Sequence, residues 1–202
     1  MRALLKASGV IDAVNDRFGL IATWLVLIAC VLSAGNAFVR YGLRGMLKLQ
    51  QQFPLLPGLE AFVDAYSRNA NSFLEAQWYM FAAIVMFGAA YTFKVNEHVR
   101  VDLIYGMVSE RTRMLIDIFG IIFFLLPFCL ILMYFTWPWF LEAFRGNEAS
   151  SFTGGLVRWP VKLILPLGFT MLALQGVSEL VKRIAALQHI ASLQFHYEKP
   201  LQ

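Results

Sequence analysis

Four long runs carry almost no charge, and no other feature limits the possible folds as strongly. The first extends from Phe18 to Val39, between Arg17 and Arg40. The second extends from Ala76 to Phe93, between Glu75 and Lys94. The third covers Met114 to Leu141, interrupted by Asp117 near its start. The fourth covers Trp159 to Ser178, with Lys162 near its start and Glu179 closing it. A helix needs about 20 predominantly apolar residues to cross the hydrocarbon core. The runs therefore predict an all-α integral membrane protein with four transmembrane helices, forming one membrane domain over residues 1–202. Lys162 can extend its flexible stem to bring its ammonium to the interface.

Composition agrees with this expectation. Only 15% of the residues are charged and 59% are hydrophobic, against about 25% and 45–50% in soluble domains. Aromatic residues mark the span ends: Trp78 and Tyr79 open the second span, Trp137 and Trp139 close the third, and Trp159 opens the fourth. Such rings concentrate at headgroup depth because they combine an apolar body with a polar tip. If the spans alternate in direction, these tryptophans share one side of the membrane. Ten Lys/Arg residues fall on the side of the N-terminus and seven on the other. The positive-inside bias then predicts that both termini are cytoplasmic.

The remaining segments are also patterned. Leu4, Ala7, Ile11, Val14 and Phe18 recur at spacings of three and four, which predicts an interfacial amphipathic helix over about 2–16. The segment 41–74 reads as a loop broken by Pro54 and Pro57, with a second interfacial helix over about 58–67. Leu180, Ile184, Leu187 and Ala191 predict a helical extension over 179–196. Asp12 and Asp16, together with the length of the first apolar run, favour an uncleaved first span over a signal peptide. Cys30 and Cys129 fall in apolar runs and read as small buried hydrophobes rather than a disulfide framework.

Several kinds of chemistry find no support. His98, His189 and His196 all fall outside the spans, whereas axial haem ligation within a bundle needs an imidazole inside it. His98 and Asp102 can share a helical face, but two ligands do not make a metal site. The sequence holds no phosphate loop of the Gly-rich Lys-Ser/Thr type and no recognisable nucleophile motif. Gly154–Gly155 reads as a turn before the fourth span. Basic stretches interleaved with aromatics are lacking, so nucleic-acid binding has no footing. A path for a solute usually needs polar or interrupted helices at mid-membrane, yet Ile28, Val85, Phe128 and Phe169 mark apolar span centres.

The polar residues that stand out cluster at span ends. Asn36 and Arg40 lie one turn apart at the end of the first span. Asn71, Glu75, Gln77 and Trp78 lie where the second begins. Arg40 is expected to pair with Glu75, with Asn36 or Gln77 completing the network. At the other side, the turn Glu97–Gly106 includes His98, Arg100 and Asp102, and Asp102 is a candidate helix cap. Asp117, one turn inside the third span, is within reach of water or Arg113.

The stretch NSFLEAQWYMFAAIVMFGAAYTFKVNEHVRVD, residues 71–102, resembles the small membrane subunit (DctQ-type) of tripartite ATP-independent periplasmic (TRAP) transporters. GGLVRWPVKLILPLGFTMLALQGVSE, residues 154–179, resembles the fourth helix of that family, and Asn36 and Arg40 match an Asn and an Arg common there. Val157 departs from the family's frequent Pro. The resemblance implies a small permease subunit in a bacterial inner membrane. It also implies two partners: a large membrane subunit holding the substrate and sodium sites, and a periplasmic binding protein delivering an organic acid. No cofactor and no enzymatic activity are expected in this chain. The candidate contact or structural residues are Asn36, Arg40, Glu75, Gln77, Trp78, His98, Arg100 and Asp102. Two other readings are a membrane anchor of a redox complex, which a haem band would reveal, and a self-assembling channel, which conductance by the isolated chain would reveal.

Overall fold

The computed structural model of the chain describes residues 1–52, 58–96, 107–188 and 190. Helix α1 covers Arg2–Gln52 and α2 covers Leu59–Val95. Helix α3, Glu110–Gly120, passes through a π-helical turn at Ile121–Leu125 into α4, Leu126–Arg145. Helix α5 covers Trp159–Leu187. Four helical units, with α3 and α4 counted as one, are long and apolar enough to cross a membrane.

Helix α5 is the hub. It packs against α1, α2, α3 and α4, while α1 packs on α2; among the described residues α4 does not pack on α1 or α2. Small residues permit this approach. Ala22 and Ala29 of α1, Ala83 and Ala90 of α2, and Ala143 of α4 are buried. Gly168 of α5 lies against Met86, where an added Cβ would come within 2.6 Å of that side chain. In lipid, where apolar contacts gain nothing over contact with acyl chains, close packing of small residues is a main source of helix association.

The π turn has a local cause. Pro127 has no N–H to donate, and in a regular helix its ring would clash with the carbonyl four residues earlier. The chain adopts the wider register just before it, where the Leu126 N–H bonds to the Ile121 carbonyl. Pro166 lies within α5, and Thr170 donates its hydroxyl to the Pro166 carbonyl at 2.6 Å.

The helices are longer than the apolar runs suggest. At about 1.5 Å per residue, the 51-residue α1 reaches about 76 Å, well beyond the roughly 30 Å hydrocarbon core. The amphipathic stretch 2–16 is thus not a separate interfacial helix but the first four turns of α1. Its polar side, rather than meeting water, turns toward the rest of the bundle. Ser8 and Asn15 are buried, whereas Leu4 and Val14 are exposed. The supposed loop 41–74 likewise carries α1 on to Gln52 and starts α2 at Leu59, so the stretch 58–67 belongs to the same helix as span two. The C-terminal extension is helical to Leu187, and the rest of the predicted 179–196 helix, apart from Gln188 and Ile190, lies outside the described residues. Cys129 is buried as expected, but Cys30 is exposed on the outer face of α1.

Candidate scaffold sites at the two ends of the bundle

At one end, the loop between α4 and α5 is fastened onto residues 71–79 of α2. A single antiparallel bridge, Ala149 with Val157, closes this loop. Glu75 is buried at 5% exposure and accepts from the Ser150 hydroxyl and from the Leu156 N–H at 2.5 Å. Asn71 donates to the Thr153 carbonyl at 2.9 Å, Ser72 to the Gly154 carbonyl, and Tyr79 to the Val157 carbonyl at 3.1 Å. The loop can lie this close because Gly154 adopts φ +71 and has no Cβ, which would sit 1.8 Å from the Arg68 carbonyl oxygen. Residues 71–79 thus supply, from one face of a helix, acceptors and donors for a loop that would otherwise expose its backbone groups.

The same end carries a cationic pair around Glu148. Lys162 pairs with it, Arg158 lies at 3.6 Å from it, and the Lys162 ammonium stands 4.4 Å above the Trp139 ring. Hydrogen bonding to Lys162 holds the Glu148 carboxyl below the usual carboxylate range. Lys162 thus does reach away from the apolar layer, but to a protein partner and a ring face. Trp78, Trp137, Trp139 and Trp159 are all at this end, on α2, α4 and α5.

The expected Arg40–Glu75 pair does not form. Glu75 instead accepts from Ser150 and Leu156, and Arg40 is exposed with no ion pair among the described residues. Asn36 accepts instead from the Tyr66 hydroxyl of α2. Helical extension of α1 and α2 explains the difference, because it places Asn36 level with Tyr66, nine residues before Glu75 along α2. Gln77 is buried with no hydrogen-bond partner among the described residues. Trp78 points outward. His98, Arg100 and Asp102 lie outside the described residues.

At the opposite end, a polar network joins α1, α5 and α3. Ser8 and Ser178 share a hydrogen bond at 2.6 Å, and Asn15 donates to Gln175 at 2.6 Å. Gln175 donates to Asp12 at 3.0 Å and Glu179 at 3.1 Å. Asp12 also accepts from Ser178 at 2.8 Å and pairs with Lys182 at 2.8 Å. Lys182 pairs with Glu179 at 2.5 Å. Arg183 then bridges Glu179 at 2.5 Å and Asp117 of α3 at 3.1 Å. Burial raises the Asp12 carboxyl's pKa, but Lys182, Ser178 and Gln175 together outweigh it and leave the value lowered. Asp16 adds a pair with Lys94 of α2 at 2.5 Å. Asp117 is therefore engaged across helices, not only with water or Arg113 as its position suggested.

Sequence reasoning missed this network, although its signal was present. Ser8, Asp12 and Asn15 recur at i, i+4 and i+7, and Gln175, Ser178, Glu179 and Lys182 at i, i+3, i+4 and i+7. Two polar stripes of helical period on long apolar helices can satisfy each other when they face inward, because buried polar groups need partners. Between the two ends, residues 78–91 of α2, 118–135 of the α3–α4 unit and 163–169 of α5 contain no charged or amide side chain.

Among the described residues no group of three or more His, Cys, Asp or Glu is arranged to hold a metal ion. The geometry is that of a membrane bundle fastened at both ends. A family model for the DctQ component of tripartite ATP-independent periplasmic transporters matches residues 66–186, more than half of the chain. The chain therefore belongs to the DctQ family, a transporter component, and is a multi-pass protein of the inner membrane. Neither a curated protein nor a solved structure shows significant similarity to it.

Proposed function

We propose that the chain is a scaffold subunit: a fixed membrane body that holds the large permease subunit of a TRAP transporter during uptake. The uptake is driven by an ion gradient, sodium in the resemblance noted above, and the cargo is a small organic acid handed over by a periplasmic binding protein. The observation that carries this reading is the distribution of polar groups. Both ends of the bundle are tied by buried hydrogen bonds and ion pairs, whereas the middle offers no acidic, basic or amide side chain along α2, α4 and α5. A solute path needs such groups at depth, and a rigid support does not. The ten Lys/Arg residues on the side of the N-terminus, against seven on the other, support a cytoplasmic location for the α1–α5–α3 network and a periplasmic one for the α4–α5 loop.

Affinity purification of the tagged chain from its native membrane tests the reading. A stable stoichiometric complex with one large polytopic subunit is expected. Recovery of the chain alone, or with a haem-containing partner, would contradict it.

A further inference from the structure

Toward the outer end of the first span, α1 and α2 lie side by side and enclose an apolar groove of about 590 Å³. The volume falls in the range of small-molecule sites, about 300–1,000 Å³. Val31, Leu32, Gly35 and Val39 of α1 form one wall, and Phe62 and Phe73 of α2 form the other. Its polar atoms are few and belong to Asn36, Tyr66 and Asn69, of which Asn36 and Tyr66 bond to each other, while Asn69 donates to its own helix at the Ala65 carbonyl. Val31 to Val39 on α1 and Phe62 to Phe73 on α2 give the groove a length of about 12–16 Å at 1.5 Å per residue.

The depth of this groove follows from which charges reach solvent. Glu75 is buried and fully engaged by the loop, so it does not mark the membrane edge. Exposed charges first occur at Arg40 on α1 and at Arg68 and Asp64 on α2. The groove therefore straddles the upper hydrocarbon and the headgroup zone. Its rim stays apolar on the α2 side, where Phe62 is 56% exposed. Arg40 stands one turn beyond Asn36 on the same face of α1, exposed and without an ion pair among the described residues.

We propose that this groove binds an anionic phospholipid of the surrounding bilayer, with an acyl chain along Val31–Val39 and Phe62–Phe73 and the phosphate at Arg40. An apolar groove with the exposed Arg40 guanidinium one turn beyond its Asn36, without an ion pair among the described residues, matches an amphiphile with a negative head and an apolar tail. Guanidinium is also the side chain whose geometry suits phosphate best. Occupancy would cover the exposed aromatic rim and tie the two projecting helices together.

Gly35 permits a specific test, because a Cβ built there meets nothing within 4 Å. Gly35→Leu therefore adds bulk at a lining position where the new Cβ meets no neighbour. The full chain is purified from nanodiscs containing phosphatidylglycerol and phosphatidylcholine, and retained lipids are counted by native mass spectrometry. Wild type is expected to keep one phosphatidylglycerol that Gly35→Leu loses, with unchanged helicity and elution. Arg40→Gln is expected to keep the site but reduce preference for phosphatidylglycerol over phosphatidylcholine about fivefold. A photo-crosslinking residue at Phe62 is expected to label lipid. Equal lipid retention by wild type and Gly35→Leu, an unchanged headgroup preference in Arg40→Gln, or labelling of a polypeptide from position 62 would each overturn the proposal.

Discussion

Replacing Glu75 by Ala removes the single acceptor that receives both the Ser150 hydroxyl and the Leu156 N–H. A buried donor left without an acceptor costs about 1–3 kcal/mol. Ser150 and Leu156 are only partly buried, so water relieves some of this, and roughly 1–1.5 kcal/mol for each is reasonable. The loop-opening equilibrium should then shift by about 2–3 kcal/mol. With tenfold per 1.4 kcal/mol, that is roughly a 30- to 150-fold increase in the open population. Amide hydrogen exchange reads this quantity directly, since the Leu156 N–H exchanges when the loop opens. The peptide covering 148–158 should speed up by that factor in Glu75→Ala. Peptides from the middle of α5 should keep their wild-type protection. Glu75→Gln keeps one acceptor oxygen and should fall between, at roughly tenfold. Unchanged exchange at Leu156 in Glu75→Ala would refute the assignment of Glu75 as the loop's anchor. So would a uniform rise across α5, which would place the residue in the global core instead.

Gly154→Ala forces a Cβ onto the Arg68 carbonyl at a left-handed φ, so the 148–158 peptide should exchange at least tenfold faster, given about 1–2 kcal/mol for the backbone alone. Arg183→Met leaves Glu179 and Asp117 without their shared cation and should cost about 3–5 kcal/mol in detergent unfolding; adding Asp117→Asn should recover part of that loss, a coupling of about 0.5–3 kcal/mol. Asp12 has a lowered pKa, so its stabilisation is complete above the ordinary carboxylate range and is lost as pH falls through the lowered folded value; thermal unfolding from pH 7 to pH 3 should show an acid-side loss that Asp12→Asn reduces. Gly9→Ala meets open space on α1 and should raise stability by roughly 0.5–1 kcal/mol, measurable in the same unfolding assay.

The membrane spans were legible in the sequence because lipid imposes one simple rule, a long run without charge. The ends were less legible because the same rule treats every charge as a boundary. Glu75 looks like the limit of span two, yet it is buried beneath a loop that satisfies it. Ser8, Asp12 and Asn15 look like the wet face of an interfacial helix, yet they turn inward onto Gln175, Ser178 and Lys182. An amphipathic pattern reveals that two faces differ but not which one meets the protein, and in a bilayer the apolar face can point outward. The Tyr66–Asn36 contact was out of reach for a different reason: it depends on α1 continuing as a helix to Gln52 and α2 starting at Leu59, within a stretch, 41–74, that reads as a loop in the sequence; Pro54 and Pro57 themselves lie outside the described residues. Gly154, in contrast, was readable as a turn, and only its close approach to Arg68 needed the structure.

The most direct test of the scaffold reading is uptake in proteoliposomes. The large permease subunit is reconstituted with and without this chain, in the presence of the binding protein loaded with its organic acid and an imposed sodium gradient. The account predicts gradient-driven uptake by the pair, at least tenfold less by the large subunit alone, and none by this chain alone. Full uptake by the large subunit alone, or solute movement through this chain by itself, would contradict it.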